Sequence, residues 1–234
     1  MSHTDRREFL RDTVSVGAVG AASLSLSSIG RTADSPKEVA VGLIGCGGRG
    51  TYLASVFRNN PGVKLTWICD ADRNRFPKGG SFLGDKPKLT GDIREMLKDD
   101  SLDAVIVATP DHWHSPAAIL ACDAGKHVYV EKPCSHSIRE GRLLVEAARR
   151  NKRIVQHGTQ VRSTDMMIDA VKLLREGIIG NVTVAKVWNI QRRGNIGKRQ
   201  PSDPPSGFDY DTWVGPAPMI PYQSNRVHRG WHWW

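Results

Sequence analysis

Five short apolar runs punctuate the chain between residues 39 and 157. Val39 to Ile44, Val63 to Cys69, Ala104 to Ala108, His127 to Val130 and Ile154 to His157 are brief, and most are rich in β-branched residues. Such runs, without strict alternation, suit strands buried on both faces. The segments between them carry helix signals. Thr51 to Arg58 predicts a helix stopped by Asn59-Asn60-Pro61-Gly62. Phe76 to Lys88, rich in Gly, Lys and Pro, reads as a loop, and Asp92 with Glu95 gives a capping-box start to a short helix through Met96 and Leu97. Ser115 as N-cap, Pro116 in the first turn and Gly125 past the end bracket the next helix. Ser137 and Glu140 form a second capping box for a helix running to about Arg150, and a further helix ends near Gly177. Strands and helices in alternation predict an α/β fold built on a doubly wound parallel sheet.

From Asn181 the pattern changes. Val182 to Ile190 alternates in part like a strand of a new sheet, and Arg192 to Phe208 is a loop dense in Gly, Pro and charge. Trp213, Trp231, Trp233 and Trp234 follow, and such rings need something to pack against. We therefore divide the chain into a leader (1–33), a first α/β domain (34–160) and the beginning of a second α/β or α+β domain (161–234). A length of 234 residues accommodates this, at about 100 to 200 residues per domain.

Chemistry enters at the end of the first apolar run. Gly45, Gly47 and Gly50 follow it in G-x-G-x-x-G spacing, a dinucleotide-binding turn in which Gly48 and Arg49 are also candidate cofactor-binding residues. The glycines serve a tight bend, close approach to a pyrophosphate and close packing of the helix. The helix N-terminus favours the negative charge. Asp70 ends the second run twenty positions beyond Gly50, where an acid is expected to hold the adenosine ribose hydroxyls. A carboxylate there favours NAD over NADP, although Arg73 nearby could accommodate a 2′-phosphate. The turns Thr109 to His114 and Glu131-Lys132-Pro133 reach the same carboxyl edge of the sheet, where ligands bind in open α/β folds. His112 and His114 form an H-x-H pair, but no further ligands stand at recognisable spacing, so no metal is expected.

The leader reads differently from the fold. Arg6-Arg7 followed by Phe9-Leu10, then a Gly/Ala/Ser-rich apolar run from Val14 to Ile29, resembles a twin-arginine export signal. This predicts a periplasmic or otherwise extracytoplasmic protein delivered folded by the twin-arginine machinery, anchored to the membrane if the leader stays uncleaved. A formal net charge of +9 raises nucleic-acid binding, but the cations are scattered or close helices, as Arg149, Arg150, Lys152 and Arg153 do, and no recognition motif accompanies them. No nucleic-acid partner is expected. Cys46, Cys69, Cys122 and Cys134 show no paired spacing and read as core thiols, with a Cys46–Cys69 bridge conceivable but unsupported.

Together VGLIGCGGRG, ICDAD, VIVATPDHWH, AGKHVYVEKP and GTQVRS resemble the Gfo/Idh/MocA family of NAD(P)-dependent oxidoreductases, in particular its exported members. The likeness spans residues 38 to 234, and the EKP tripeptide is its most specific element. It implies a Rossmann domain followed by an α/β domain with a large open sheet, through which members often pair into homo-oligomers. It also implies that Gly45, Gly47 and Gly50 bind pyrophosphate, Asp70 the ribose, and Thr109, Pro110 and His114 the nicotinamide side. Glu131 and Lys132 would line the cleft, with Lys132 as the reacting-site lysine. Asp111 departs from the asparagine of many members. The family's second-domain Asp and His motif is expected after RVHRGWHWW and is absent, so the sequence reads as the N-terminal part of a longer enzyme.

The expected function is oxidation of a sugar, polyol or cyclitol hydroxyl by hydride transfer to NAD, with Lys132 hydrogen-bonding the substrate oxygen or relaying its proton. One alternative is an NAD-dependent glycosidase of the same fold. A second is a non-catalytic nucleotide-binding fragment. Arg162 and Gln160 are candidates for meeting a polar substrate or a domain junction.

Overall fold

The computed structural model describes residues 38–76, 86–190, 194–228 and 230, all within one compact unit spanning Lys37–Trp234. The leader with its arginine pair, the middle of the 76–88 loop, and Trp231, Trp233 and Trp234 lie outside the described residues. Among the described residues, no helix is long and apolar enough to cross a membrane.

Six parallel strands form one sheet: β1 (Val39–Ile44), β2 (Val63–Cys69), β3 (Lys88–Thr90), β4 (Ala104–Val107), β5 (His127–Glu131) and β6 (Val155–Gly158). Their order, β3-β2-β1-β4-β5-β6, is that of a Rossmann fold, with the direction of winding reversing between β1 and β4. The expected doubly wound sheet is therefore present. Alternation along the strands sorts side chains between two layers. Val41 and Leu43 of β1 and Ile106 of β4 pack with Leu53 and Ala54 of helix α1 (Gly48–Arg58) on one face. Ile44, Val105 and Val107 pack on the other against helices α2 (Ile93–Leu97), α3 (Asp111–Asp123) and α4 (Ile138–Arg150). Burying each such Val, Leu or Ile side chain is worth about 1.5 to 3 kcal/mol, so this two-sided core dominates the fold's stability.

Several boundaries differ from the sequence reading for local reasons. Strand β3 takes the end of the expected loop; it is an edge strand whose one large apolar residue, Leu89, is half exposed, so it carries no hydrophobic period. Helix α1 starts three residues early, at Gly48. Helix α3 starts at Asp111 with extended Pro110 as its N-cap, so the HWH stretch is helical rather than loop and Ser115 does not cap. The Ser115 hydroxyl instead donates to the Cys134 carbonyl at 2.8 Å, and Pro116 sits inside the helix. Neither capping box closes reciprocally. Glu95 accepts from the Thr90 hydroxyl, and Glu140 accepts from the His136 amide at 2.9 Å.

After β6, helix α5 (Asp165–Arg175) leaves the sheet with no buried residue. The strand expected over 182–190 is not formed: these residues are irregular and exposed, and they pair with no strand among the described residues. The chain then returns. Helix α6 (Tyr210–Val214), capped by Asp209, joins Phe208, Tyr222 and Val227 in a small cluster, and the Trp213 ring lies edge-on to His112 at 5.7 Å. Trp213 thus packs on the first turn of α3.

The tightest point of the fold is the β1–α1 turn. Gly45 has φ +89°, and a Cβ there would stand 2.8 Å from the Ala108 carbonyl. At Gly50 a Cβ would lie 1.9 Å from the Gly45 carbonyl oxygen, whereas at Gly48 it would meet nothing within 4 Å. We expect Gly50→Ala to cost about 3 kcal/mol or more, since neither backbone can yield. Gly48→Ala should stay within about 1 kcal/mol of the parent. Thermal unfolding of the two variants side by side checks the contrast.

Candidate functional site

Three turns converge at the carboxyl ends of β1, β4 and β5. The first is the glycine turn. Gly47 is the N-cap of α1 and has no side chain with which to cap the first-turn amides, so the amides at the start of α1 can serve a ligand's oxygens. Asp70, at the end of β2, holds this turn directly: its Oδ2 accepts the Cys46 amide at 2.8 Å and the Cys46 thiol at 3.3 Å. Its Oδ1 accepts the Asp72 amide at 2.9 Å. Burial, reinforced by the Asp70 charge, pushes the Cys46 thiol well above the ordinary cysteine range, so it acts as a donor and not a nucleophile. All four cysteines are free thiols; no Cys46–Cys69 bridge is present.

The cation that reaches this turn is Arg75, not Arg73. In the 3-10 turn Arg73–Arg75, the Arg75 guanidinium lies 2.9 Å from where a Gly47 Cβ would stand, while the Arg73 side chain lies against Gly91. Sequence reading passed over Arg75. The signal was there in principle: a tight turn after the strand carries its last residue back toward the strand's end.

The second turn, Thr109-Pro110, leads into α3. Thr109 Oγ1 is buried with no partner among the described residues, as is Arg49 Nε at the neighbouring helix. Orphaned polar atoms beside an uncapped helix start fit a polar ligand across the strand ends. His114 is buried between this turn and the next. Its ring is 1% exposed, and its nitrogens face the Pro133 carbonyl at 2.5 Å and the Thr109 carbonyl at 2.8 Å. Both nitrogens face main-chain carbonyls, so His114 ties the two turns together. The His112 Nε2 donates to the Trp213 carbonyl at 2.9 Å, away from His114, so the H-x-H pair does not converge. Among the described residues, no group of three or more His, Cys, Asp or Glu is arranged to hold a metal.

The third turn carries Glu131 and Lys132. Glu131 is 4% exposed and pairs with Arg49 at 2.7 Å and the Gln160 amide at 2.9 Å. The side chain of Arg49 is thereby committed across the sheet, leaving its backbone amide for a ligand. Gln160, named among substrate candidates, instead supports Glu131. Lys132 is exposed; its amide donates to Glu131 Oε2 at 3.3 Å, and its ammonium has no partner among the described residues. Arg162 is exposed beyond this cluster.

These features define a nucleotide-type site at the topological switch point of a Rossmann sheet. The chain belongs to the Gfo/Idh/MocA oxidoreductase family: residues 39–159 match its NAD-binding Rossmann-fold profile, and 159–234 match its C-terminal alpha/beta domain. Among curated relatives, Glycosyl hydrolase family 109 protein 2 of Shewanella sp. (strain ANA-3) is 35% identical over 78% of this chain and 45% of its own length. A Glycosyl hydrolase family 109 protein of Saccharopolyspora erythraea is 30% identical over 76% of this chain and 44% of its own. The chain thus spans less than half the length of these relatives. Among solved structures, myo-inositol 2-dehydrogenase of Lactobacillus plantarum superposes with TM-score 0.57 at 28% identity, covering 62% of this chain and 43% of that one. Scyllo-inositol dehydrogenase of Lactobacillus casei, solved with NAD(H) and scyllo-inositol, gives 0.57 at 25% identity, covering 63% and 44%.

The half-buried His112 sets a pH dependence. Burial pushes the His112 pKa below the usual histidine value, opposed by its bond to the Trp213 carbonyl. The folded chain therefore holds His112 neutral, and below about pH 6.5 the unfolded chain takes up the proton first. Stability should fall as pH drops from 7.5 to 5. His228, shifted the same way by burial, adds to the slope, so His112→Gln should flatten it only in part in melts across that range.

Proposed function

We propose that this chain supplies the cofactor-binding part of an NAD-dependent oxidoreductase acting by hydride transfer on a hydroxyl of a sugar, polyol or cyclitol. The observation that carries this is the meeting of the glycine turn, Asp70, the Thr109-Pro110 turn and Glu131-Lys132 along one edge of the sheet. The amides at the start of α1 would receive the pyrophosphate, and Asp70 retains acceptor capacity for a ribose hydroxyl beyond the three donors it already has. When bound, the nicotinamide supplies the hydride acceptor. Lys132, exposed at the cleft and fixed through its amide to Glu131, hydrogen-bonds the substrate oxygen and receives or relays its proton. His114 and Ser115 hold residues 133 and 134, and so set where Lys132 emerges.

A second reading has a specific ground. The curated relatives described above are named as glycosyl hydrolases of family 109. A substrate carbon oxidised transiently and then reduced again would serve glycoside cleavage with the same site. We further propose export by the twin-arginine route, on the Arg6-Arg7 leader, to an extracytoplasmic location, and pairing of copies through the second domain.

The cofactor claim is tested by fluorescence titration with NADH and NADPH. NADH should bind more tightly, and Asp70→Ala should weaken it about 10- to 100-fold, the value of a hydrogen bond to a charged group. Unchanged NADH affinity in that variant would sink the assignment. With sugars or inositols as substrates, net NADH formation marks a dehydrogenase, whereas aryl-glycoside cleavage without net NADH marks a glycosidase. In either case Lys132→Ala should lower kcat by about 10²- to 10⁴-fold.

A further inference from the structure

We propose that His228, from the C-terminal part of the chain, is a positioning residue for the nucleotide end of the cofactor site, acting through Asp72. This rests on the NAD reading above and extends it to a residue that never approaches the reacting carbon.

The loop after β2 carries the ribose carboxylate, and such loops are ordinarily exposed and adaptable. Here it is fastened from a segment more than 130 residues away. The Arg73 amide donates to the Gly207 carbonyl at 2.8 Å, and the Asp209 amide to the Ala71 carbonyl at 2.9 Å, an antiparallel bridge of Asp72 with Phe208. Asn74 Nδ2 reaches the Ser206 carbonyl at 2.9 Å. Inside this bridge, Asp72 is 7% exposed and its Oδ2 pairs with His228 Nε2 at 3.1 Å. The opposite oxygen accepts the Asn74 amide and side chain at 3.1 and 2.9 Å. The aromatic cluster holds the histidine in place, with the Phe208 ring tilted over it at 5.4 Å.

The contacts form a continuous chain. His228 holds the Asp72 side chain, the Asp72 amide holds Asp70 Oδ1, and Asp70 Oδ2 holds the Cys46 amide of the glycine turn. Asp70 and Asp72 are like charges two residues apart, and His228 and Arg75 are the basic groups beside them. With His228 removed, Oδ2 of a largely buried carboxylate loses its partner and turns toward water. The loop relaxes with it, and Asp70 loses the orientation that a ribose hydroxyl requires.

His228 has φ +54°, a conformation asparagine tolerates better than most residues, so His228→Asn keeps the backbone while its side chain is too short to reach Asp72. In the 234-residue chain we expect His228→Asn to raise the Kd for NADH about tenfold. The Kd for ADP-ribose, measured by calorimetry, should rise equally, since the effect lies at the nucleotide end. His228→Gln, which keeps a donor of suitable reach, should recover most of the affinity. In an Asp72→Asn background, His228→Asn should add nothing further. Circular dichroism melts confirm that each variant is folded before titration. If the parent binds NADH and ADP-ribose while His228→Asn binds both as tightly, the latch is wrong and the cofactor site stands. If the parent binds neither, the cofactor reading fails and the latch with it. If His228→Asn weakens binding equally with and without Asp72→Asn, His228 acts by some route other than Asp72 and the proposal is overturned.

Discussion

The arrangement depends on one steric constraint, the contact between Gly50 and the Gly45 carbonyl oxygen. Residue 50 has no room for a Cβ, and that closeness seats the first turn of α1 on the end of β1. From this seat Arg49 reaches past β4 to the buried Glu131 at the end of β5. Glu131 in turn receives the amide of Lys132 and the side chain of Gln160. A backbone contact at the glycine turn thus sets the position of a lysine two strands away. Breaking a pair that leaves Glu131 uncompensated is costly, so the network is rigid where the chemistry needs it to be.

Charge in the cleft is arranged before any ligand arrives. Asp70, Asp72 and Glu131 are each engaged by protein donors, and the Cys46 thiol is kept protonated beside Asp70. Among the described residues, the groups left over at these turns include the amides at the start of α1, Arg49 Nε, the Thr109 hydroxyl and the Lys132 ammonium. The amides at the start of α1 and the Lys132 ammonium suit negative charge or an oxygen acceptor, and the Thr109 hydroxyl suits a neutral polar group, which is the division the proposed cofactor and substrate would use. His114, which by residue type alone looks chemical, spends both ring nitrogens on main-chain carbonyls. It serves the site by holding the second and third turns together.

The apolar runs of β1, β2, β4 and β5 announced strands because layers on both sides bury them, and burial writes itself into composition; β6, at one edge of the sheet, keeps only a short apolar start with Gln156 and His157 exposed. Strand β3 did not, since its sheet-edge position places no demand on Lys88 or Leu89. The start of α3 was misplaced by a plausible cap: Ser115 has the right chemistry, but the Cys134 carbonyl claims its hydroxyl. The alternation over 182–190 was real and yet produced no strand, because pairing is a property of two segments and alternation of one.

What the sequence determined by itself is what near neighbours along the chain decide. The glycine spacing, Asp70 at the end of its strand and the Glu131-Lys132-Pro133 turn are local patterns tied to local backbone shape. Tertiary structure decided which distant groups meet: Arg75 over the glycine turn instead of Arg73, Arg49 with Glu131, Trp213 against His112, and His228 on Asp72. These contacts join residues from about 25 to more than 150 positions apart, and no period or motif records them. They exist because the doubly wound sheet brings its strand ends to one edge and the returning C-terminal segment packs its aromatic residues there.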